Sequence, residues 1–122
     1  MANEIRTAER LLKAAGDASR LRILKCLQVR SCRVCELVQA TGMAQPRVSR
    51  HLKVLRDAGL VTAGRDTQWV EYCLAEAGNG SSGADVLSIV ATWLEHDEQT
   101  LSDRGRLATT SRAQCACEPA GG

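Results

Sequence analysis

Residues 41–61 read Thr41-Gly42-Met43-Ala44-Gln45-Pro46-Arg47-Val48-Ser49-Arg50-His51-Leu52-Lys53-Val54-Leu55-Arg56-Asp57-Ala58-Gly59-Leu60-Val61. Val48, Leu52 and Leu55 recur at i, i+4 and i+7, the spacing of a helix with one buried face. Pro46 falls in the first turn, where its missing N–H breaks no hydrogen bond. Ala58-Gly59 follows the last turn. On the other side of this helix lie Gln45, Arg47, Ser49, Arg50 and Lys53, all able to donate hydrogen bonds. Met43-Ala44 leaves room for only a tight turn after Thr41-Gly42, so a second helix must end immediately before this one. Two helices joined by so short a turn predict a helix-turn-helix whose second helix lies within residues 45–58.

The flanks extend that reading. Upstream, 33–40 predicts a short helix that stops at Thr41-Gly42. Asp17 or Ser19 opens another, in which Leu21, Leu24 and Leu27 recur on one side. Residues 3–15 predict a first helix, closed by Gly16. Downstream the period changes. Runs 60–64 and 69–74 flank Arg65-Asp66-Thr67 as a hairpin, with Val70, Tyr72 and Leu74 on a buried face and Cys73 pointing away from it. Residues 75–83 are expected to form a flexible connector. Ser82 with Asp85 resembles a capping box for a last helix over 84–107, striped by Val86, Val90, Trp93, Leu94 and Leu101. The order α-α-α-α-β-β-α predicts a mainly helical winged helix-turn-helix with a small β-hairpin wing. It occupies residues 1–108, followed by a flexible, cysteine-containing tail, 109–122.

Composition narrows the class. The 122 residues suit one domain, 44% hydrophobic and 25% charged, with two Trp, one Tyr and no Phe. A core so poor in aromatics gains from a second copy of the chain, and a homodimer is expected. The start, Met-Ala-Asn-Glu-Ile-Arg, is charged, and no apolar run is long enough for a membrane. A cytoplasmic protein is therefore expected, and in a reducing compartment the six cysteines read as thiols rather than a disulfide framework. The net charge of +2 hides a segregation: residues 20–65 hold ten Lys/Arg against Glu36 and Asp57, which leaves −6 for the remainder. A basic block of that kind fits a polyanion partner, although a solvated face is also compatible with charge alone.

In a helix-turn-helix the first residues of the second helix meet base edges while flanking cations hold the backbone. Gln45, Arg47, Ser49 and Arg50 are accordingly expected in a DNA groove. Lys53, Arg56 and the wing residues Arg65 and Gln68 are expected on phosphates. His51 fits either a phosphate contact or local packing.

The run from Gln45 to Val61 resembles the recognition segment of the ArsR/SmtB metalloregulators. So do Asp17-Ala18-Ser19-Arg20-Leu21-Arg22-Ile23-Leu24 before it and Trp69-Val70-Glu71-Tyr72 after it. Leu101-Ser102-Asp103-Arg104-Gly105-Arg106-Leu107 is similar to the tail of arsenic-responsive members. The resemblance implies a homodimer joined through its first and last helices, bound to double-stranded operator DNA as a repressor and released when metal binds.

Arsenic-type members carry a Cys-Val-Cys-Asp-Leu-Cys run at the start of the third helix, and here that run is Cys32-Arg33-Val34-Cys35-Glu36-Leu37-Val38. Cys35 matches the second cysteine, Cys32 stands one place early, and Val38 replaces the third. Residues at i and i+3 share a helix face, so Cys32 and Cys35 are expected to converge. A helix N-terminus beside Arg30 and Arg33 favours the thiolate that a soft ion needs. The expected inducer is As(III) or Sb(III), with no organic cofactor, and Cys115 or Cys117 is the candidate third ligand. Cys26, among Leu24 and Leu27, reads as a core residue, and Cys73 as having no ligand role. His96 with Asp85, Glu95, Asp97 and Glu98 lacks the second histidine of the family's zinc-type site. A cadmium, lead or zinc sensor, or a redox or persulfide sensor, remains open on the same scaffold. A thiol oxidoreductase does not fit, because no βαβ pattern surrounds Cys32-x-x-Cys35. The chain is not expected to be an enzyme.

Overall fold

The computed structural model describes residues 4–66, 68–75 and 82–110. The chain runs through α1 (Glu4–Ala15), α2 (Ala18–Val29), α3 (Val34–Thr41), α4 (Gln45–Asp57), β1 (Val61–Asp66), β2 (Trp69–Leu74), α5 (Ser82–Thr92) and α6 (Glu98–Thr109). This is the winged helix-turn-helix expected from the pattern, with the last helix divided in two.

The local chemistry of each boundary is legible. The Gly16 N–H donates to the Leu12 carbonyl, and a Cβ at Gly16 would lie 2.8 Å from that same oxygen. Glycine ends α1 there through close approach. Asp17 rather than Ser19 caps α2, its carboxylate accepting from the Arg20 N–H at 3.1 Å, which holds its pKa below the usual carboxylate value. Gly42 (φ +75) and Gly59 (φ +85) take the left-handed conformation after α3 and at the end of α4, where a side chain would be strained. The hairpin is antiparallel, from Val61 opposite Leu74 to Asp66 opposite Trp69. Its second strand is half-buried along its whole length rather than alternating.

The core sits where α2, α3, α4 and β1 meet: Ile23, Leu24, Leu37, Leu52, Leu55 and Leu60 are all buried, with Leu107 of α6 closing it. Each large aliphatic side chain removed from water contributes about 1.5–3 kcal/mol before chain entropy is set against it. Cys26 lies in this core, and burial pushes its thiol pKa up to about 12.

The expected single helix over 84–107 is broken between Thr92 and Glu98. Leu94 adopts φ +66, and Asp97 caps α6 by accepting from the Thr100 N–H at 2.9 Å. Lys25 of α2, fully buried, donates its ammonium to the carbonyls of Val90, Ala91 and Trp93 and to the Glu95 carboxylate at 2.9 Å. A cation on the last carbonyls of α5 stabilises the stop. The Ser82–Asp85 capping box falls on a Ser82 side chain outside the described residues.

A second buried charge joins the C-terminal helix to the helix-turn-helix. Asp103, fully buried, accepts from Arg22 (2.8 and 2.9 Å), Arg106 (2.9 Å) and Gln99 (3.0 Å). The two arginines also donate to the last carbonyls of α3, Arg22 to Thr41 and Arg106 to Ala40.

Candidate nucleic-acid interface and thiol site

In α4, Val48, Leu52 and Leu55 are fully buried, so Gln45, Arg47, Ser49, Arg50, Lys53 and Arg56 are left on the exposed side. Gln45, Ser49 and Arg50 engage no other side chain by hydrogen bond or ion pair among the described residues. Lys53 pairs with Asp57 one turn on, at 3.0 Å. Arg65 in β1 and Gln68 at the hairpin turn are exposed at the wing.

Two members of the expected contact set are tied to α2. The Arg47 guanidinium donates to the Ser19 hydroxyl at 2.7 Å. His51, one turn along, places Nδ1 3.3 Å from Arg20 Nη1. Arg20 meanwhile donates to the carbonyls of Ala14 (2.6 Å) and Lys13 (3.2 Å) at the end of α1. His51 is half-buried against α2 through its contact with Arg20. Burial, then the positive charges of Arg20, Arg47 and Arg50, hold its pKa below the ordinary histidine value, against the opposing pull of Asp17.

The thiols depart from the helical arrangement expected of them. Arg33 is the cap of α3, and Cys32 lies before it in extended backbone, paired with Tyr72 of β2 by N–H···O bonds of 2.9 and 2.8 Å. Cys32 and Cys35 therefore do not share a helix face, because Cys32 is not in the helix. Cys32 is fully buried, its thiol 3.4 Å from the Arg30 carbonyl. Cys35, the second residue of α3, is half-buried and disulfide-bonded, whereas Cys26, Cys32 and Cys73 are free thiols. The reading of all six cysteines as thiols thus fails at Cys35. Arg30 forms an ion pair with buried Glu36, whose other oxygen takes the Arg33 N–H at 2.8 Å. The Arg33 guanidinium lies 4.9 Å above the Trp69 ring. Cys73 places its sulfur 3.1 Å from the Thr62 hydroxyl across the hairpin. Cys115 and Cys117 lie outside the described residues. His96, Asp85, Glu95, Asp97 and Glu98 are exposed, and no group of three His, Cys, Asp or Glu side chains converges among the described residues.

Sequence reasoning missed Arg20, Arg22, Lys25 and Asp103 as architectural residues, and offered Ser19 only as a helix cap. Each has a partner on another element that nothing local marks.

A cationic, polar helix delivered by a short turn and flanked by an exposed hairpin gives this chain the architecture of the winged-helix DNA-binding regulators. The sequence profile of bacterial regulatory proteins of the arsR family matches residues 17–63. The HTH-type transcriptional regulator CmtR of Mycobacterium bovis is 30% identical over 95 residues, 78% of this chain and 80% of that protein. The arsenic resistance transcriptional regulator ArsR1 of Pseudomonas putida is 41% identical over 73 residues, 58% of this chain and 56% of its own length. The transcriptional repressor BigR of Xylella fastidiosa superposes with a TM-score of 0.63 at 29% identity, covering 75% of this chain and 87% of that one. Reduced HlyU of Vibrio cholerae does so with 0.61 at 30%, covering 74% and 90%. The chain spans about half the length of several of its curated relatives. It belongs to the ArsR/SmtB family of transcriptional repressors. No helix among the described residues is long and apolar enough to cross a membrane.

Proposed function

We propose that this repressor binds the operator of an arsenic-resistance operon as a homodimer and leaves it when As(III) or Sb(III) is taken up by Cys35 together with other thiolates. The observation that carries the reading is the place of Cys35. It stands in the first turn of α3, its sulfur already engaged with another cysteine, on the helix that leads through a short turn into α4. A sulfur within bonding reach of a second one is half of a soft-ion site. Cys115 and Cys117 are the thiols proposed to complete it. Cys32 contributes only by leaving its buried place beside Tyr72.

On the DNA, Gln45, Ser49 and Arg50 are placed at base edges, with Lys53, Arg56, Arg65 and Gln68 on phosphates. The homodimer reading is supported by exposed apolar side chains on the first and last helices: Ile5 and Leu12 on α1, Ile89 and Trp93 at α5, and Leu101 on α6. Release requires that inducer and operator oppose each other by about 1–3 kcal/mol, within the range of ordinary allosteric coupling. Displacing the start of α3 would change the spacing of the two α4 helices in the dimer.

The disulfide at Cys35 favours a second reading on the same residues, a thiol redox sensor. Both are tested by an operator gel shift of the reduced protein against arsenite, antimonite, cadmium, zinc and an oxidant. Release by arsenite in the wild type and its loss in Cys35→Ser supports the arsenic reading. Release by oxidant alone, reversed by reduction, selects the redox reading. Unchanged arsenite release in Cys35→Ser refutes the thiol site.

A further inference from the structure

We infer that Ser19 is a positioning residue that turns Arg47 into a backbone clamp, so that Arg47 contributes affinity for any duplex while Gln45, Ser49 and Arg50 choose the sequence. This rests on the DNA-repressor reading and divides the labour within it. The base-reading set expected from the sequence treated Arg47 and Arg50 alike, and the structure separates them.

Arg47 and His51 are i and i+4 on α4 and so occupy one flank of the helix. Both face the first turn of α2, Arg47 meeting the Ser19 hydroxyl at 2.7 Å and His51 meeting Arg20 at 3.3 Å. Arg50 falls between them in sequence and is on neither contact. Ser19 is itself buried, at 8% exposure, so its hydroxyl is a fixed acceptor rather than a mobile surface group. Recognition of guanine by arginine uses two parallel N–H groups aimed straight at the base edge. An arginine with one N–H committed to a fixed hydroxyl at the helix flank has lost that freedom of aim. Its remaining donors and its charge are still available to an oxygen of the phosphate chain, which needs neither a bidentate fork nor a particular base. Holding the guanidinium in place before the duplex arrives also reduces the rotamer entropy lost on binding.

The same flank carries the α1 cap. Because Arg20 donates to the carbonyls of Ala14 and Lys13, the first turn of α2 is anchored on its far side and cannot simply follow Arg47. Ser19 therefore offers a stationary point against which α4 is registered.

The test uses the full chain in reduced form and a duplex selected by the wild-type protein from a randomised library, beside a scrambled duplex of the same length. Kd is measured by fluorescence anisotropy over a range of salt. Arg47→Ala is expected to weaken both duplexes by the same factor, about tenfold, and to lower the salt slope by about one. Ser19→Ala is expected to weaken both by about threefold, with Ser19→Thr restoring the loss and the double variant no weaker than Arg47→Ala alone. Arg50→Ala is expected to weaken the selected duplex only. Thermal unfolding of Ser19→Ala stays within about 2 °C of wild type, since Asp17 still caps α2 and alanine is a good helix former. An Arg47→Ala variant that loses discrimination between the duplexes overturns the inference, as does a Ser19→Ala effect that adds in full to that of Arg47→Ala. A wild-type protein that selects no sequence at all defeats the repressor reading itself, a different result from either.

Discussion

Asp103→Asn is expected to cost about 3–5 kcal/mol, the usual penalty for removing one partner of a buried ion pair. The carboxylate is fully buried and holds Arg22 through two bonds of 2.8 and 2.9 Å. The amide keeps the volume but removes the charge, and its own N–H groups are turned toward donors. Arg106, half exposed, adds only about 0.2–1 kcal/mol for its share of the pair. The larger loss is Arg22, whose guanidinium is stabilised in its charged form by the hydrogen bond to Asp103 and whose side chain is 21% exposed. For a domain of this size about 1 kcal/mol corresponds to roughly 4 °C in Tm, so a fall of about 12–20 °C is expected. Circular dichroism melting at one fixed protomer concentration reads it, since a dimer's Tm depends on concentration. The internal control is Glu9→Gln, which breaks the exposed Glu9–Lys13 pair and is expected to shift Tm by less than about 2 °C. An Asp103→Asn protein melting within about 3 °C of wild type would refute the reasoning.

Trp93, 63% exposed on the apolar face proposed for self-association, makes a sharp probe of it: Trp93→Glu is expected to sediment as monomer at concentrations where the wild type is a dimer, and an unaltered dimer removes that face from the interface. His51 has a folded-state pKa below its reference value of 6.5, so the unfolded chain takes up its proton first as pH falls. Its neutral-form stabilisation is intact above 6.5 and is lost below it, down to the depressed folded value, and His51→Gln should flatten this part of the urea-midpoint profile; an identical profile contradicts the assignment. Cys26, with its thiol pKa at about 12, should escape iodoacetamide at pH near 8 in the folded protein and react once urea is added, as read by mass spectrometry; rapid labelling of the native chain would show that the core is open there.

The elements that the sequence announced are those whose identity is local. Val48, Leu52 and Leu55 carry the period of α4, Pro46 and Gly59 mark its ends, and all three aliphatics are buried as their spacing requires. Val86, Val90, Trp93, Leu94 and Leu101 keep an apolar stripe running through the break, and that stripe alone predicts one continuous last helix. The ammonium that binds the carbonyls at the end of α5 comes from Lys25, on a helix far earlier in the chain, and a lysine among leucines reads as a solvated residue. Asp97 as the cap of α6 was visible in principle, an aspartate followed by Glu98, but an acidic cluster masked it. Cys32 went astray for a related reason. Its spacing from Cys35 fits a helix face, but its backbone pairs with Tyr72, forty residues away, in extended conformation outside the helix. Buried Asp103 belongs to the same class, since Arg22 lies on a helix far earlier in the chain, whereas buried Glu36 finds Arg30 and the Arg33 N–H close by in sequence.

The position of Lys25 bears on how the chain comes to be assembled. The family profile ends at residue 63, and by then every helix of the DNA-reading half has been synthesised. Yet, among the described residues, the ammonium in the middle of that half finds its oxygen acceptors on Val90, Ala91, Trp93 and Glu95. A nascent chain paused after the wing holds an unneutralised cation facing what will become interior. A fragment ending at residue 75 should consequently resist compaction until the missing C-terminal helices are supplied in trans, and a stable, cooperatively melting fragment would contradict this.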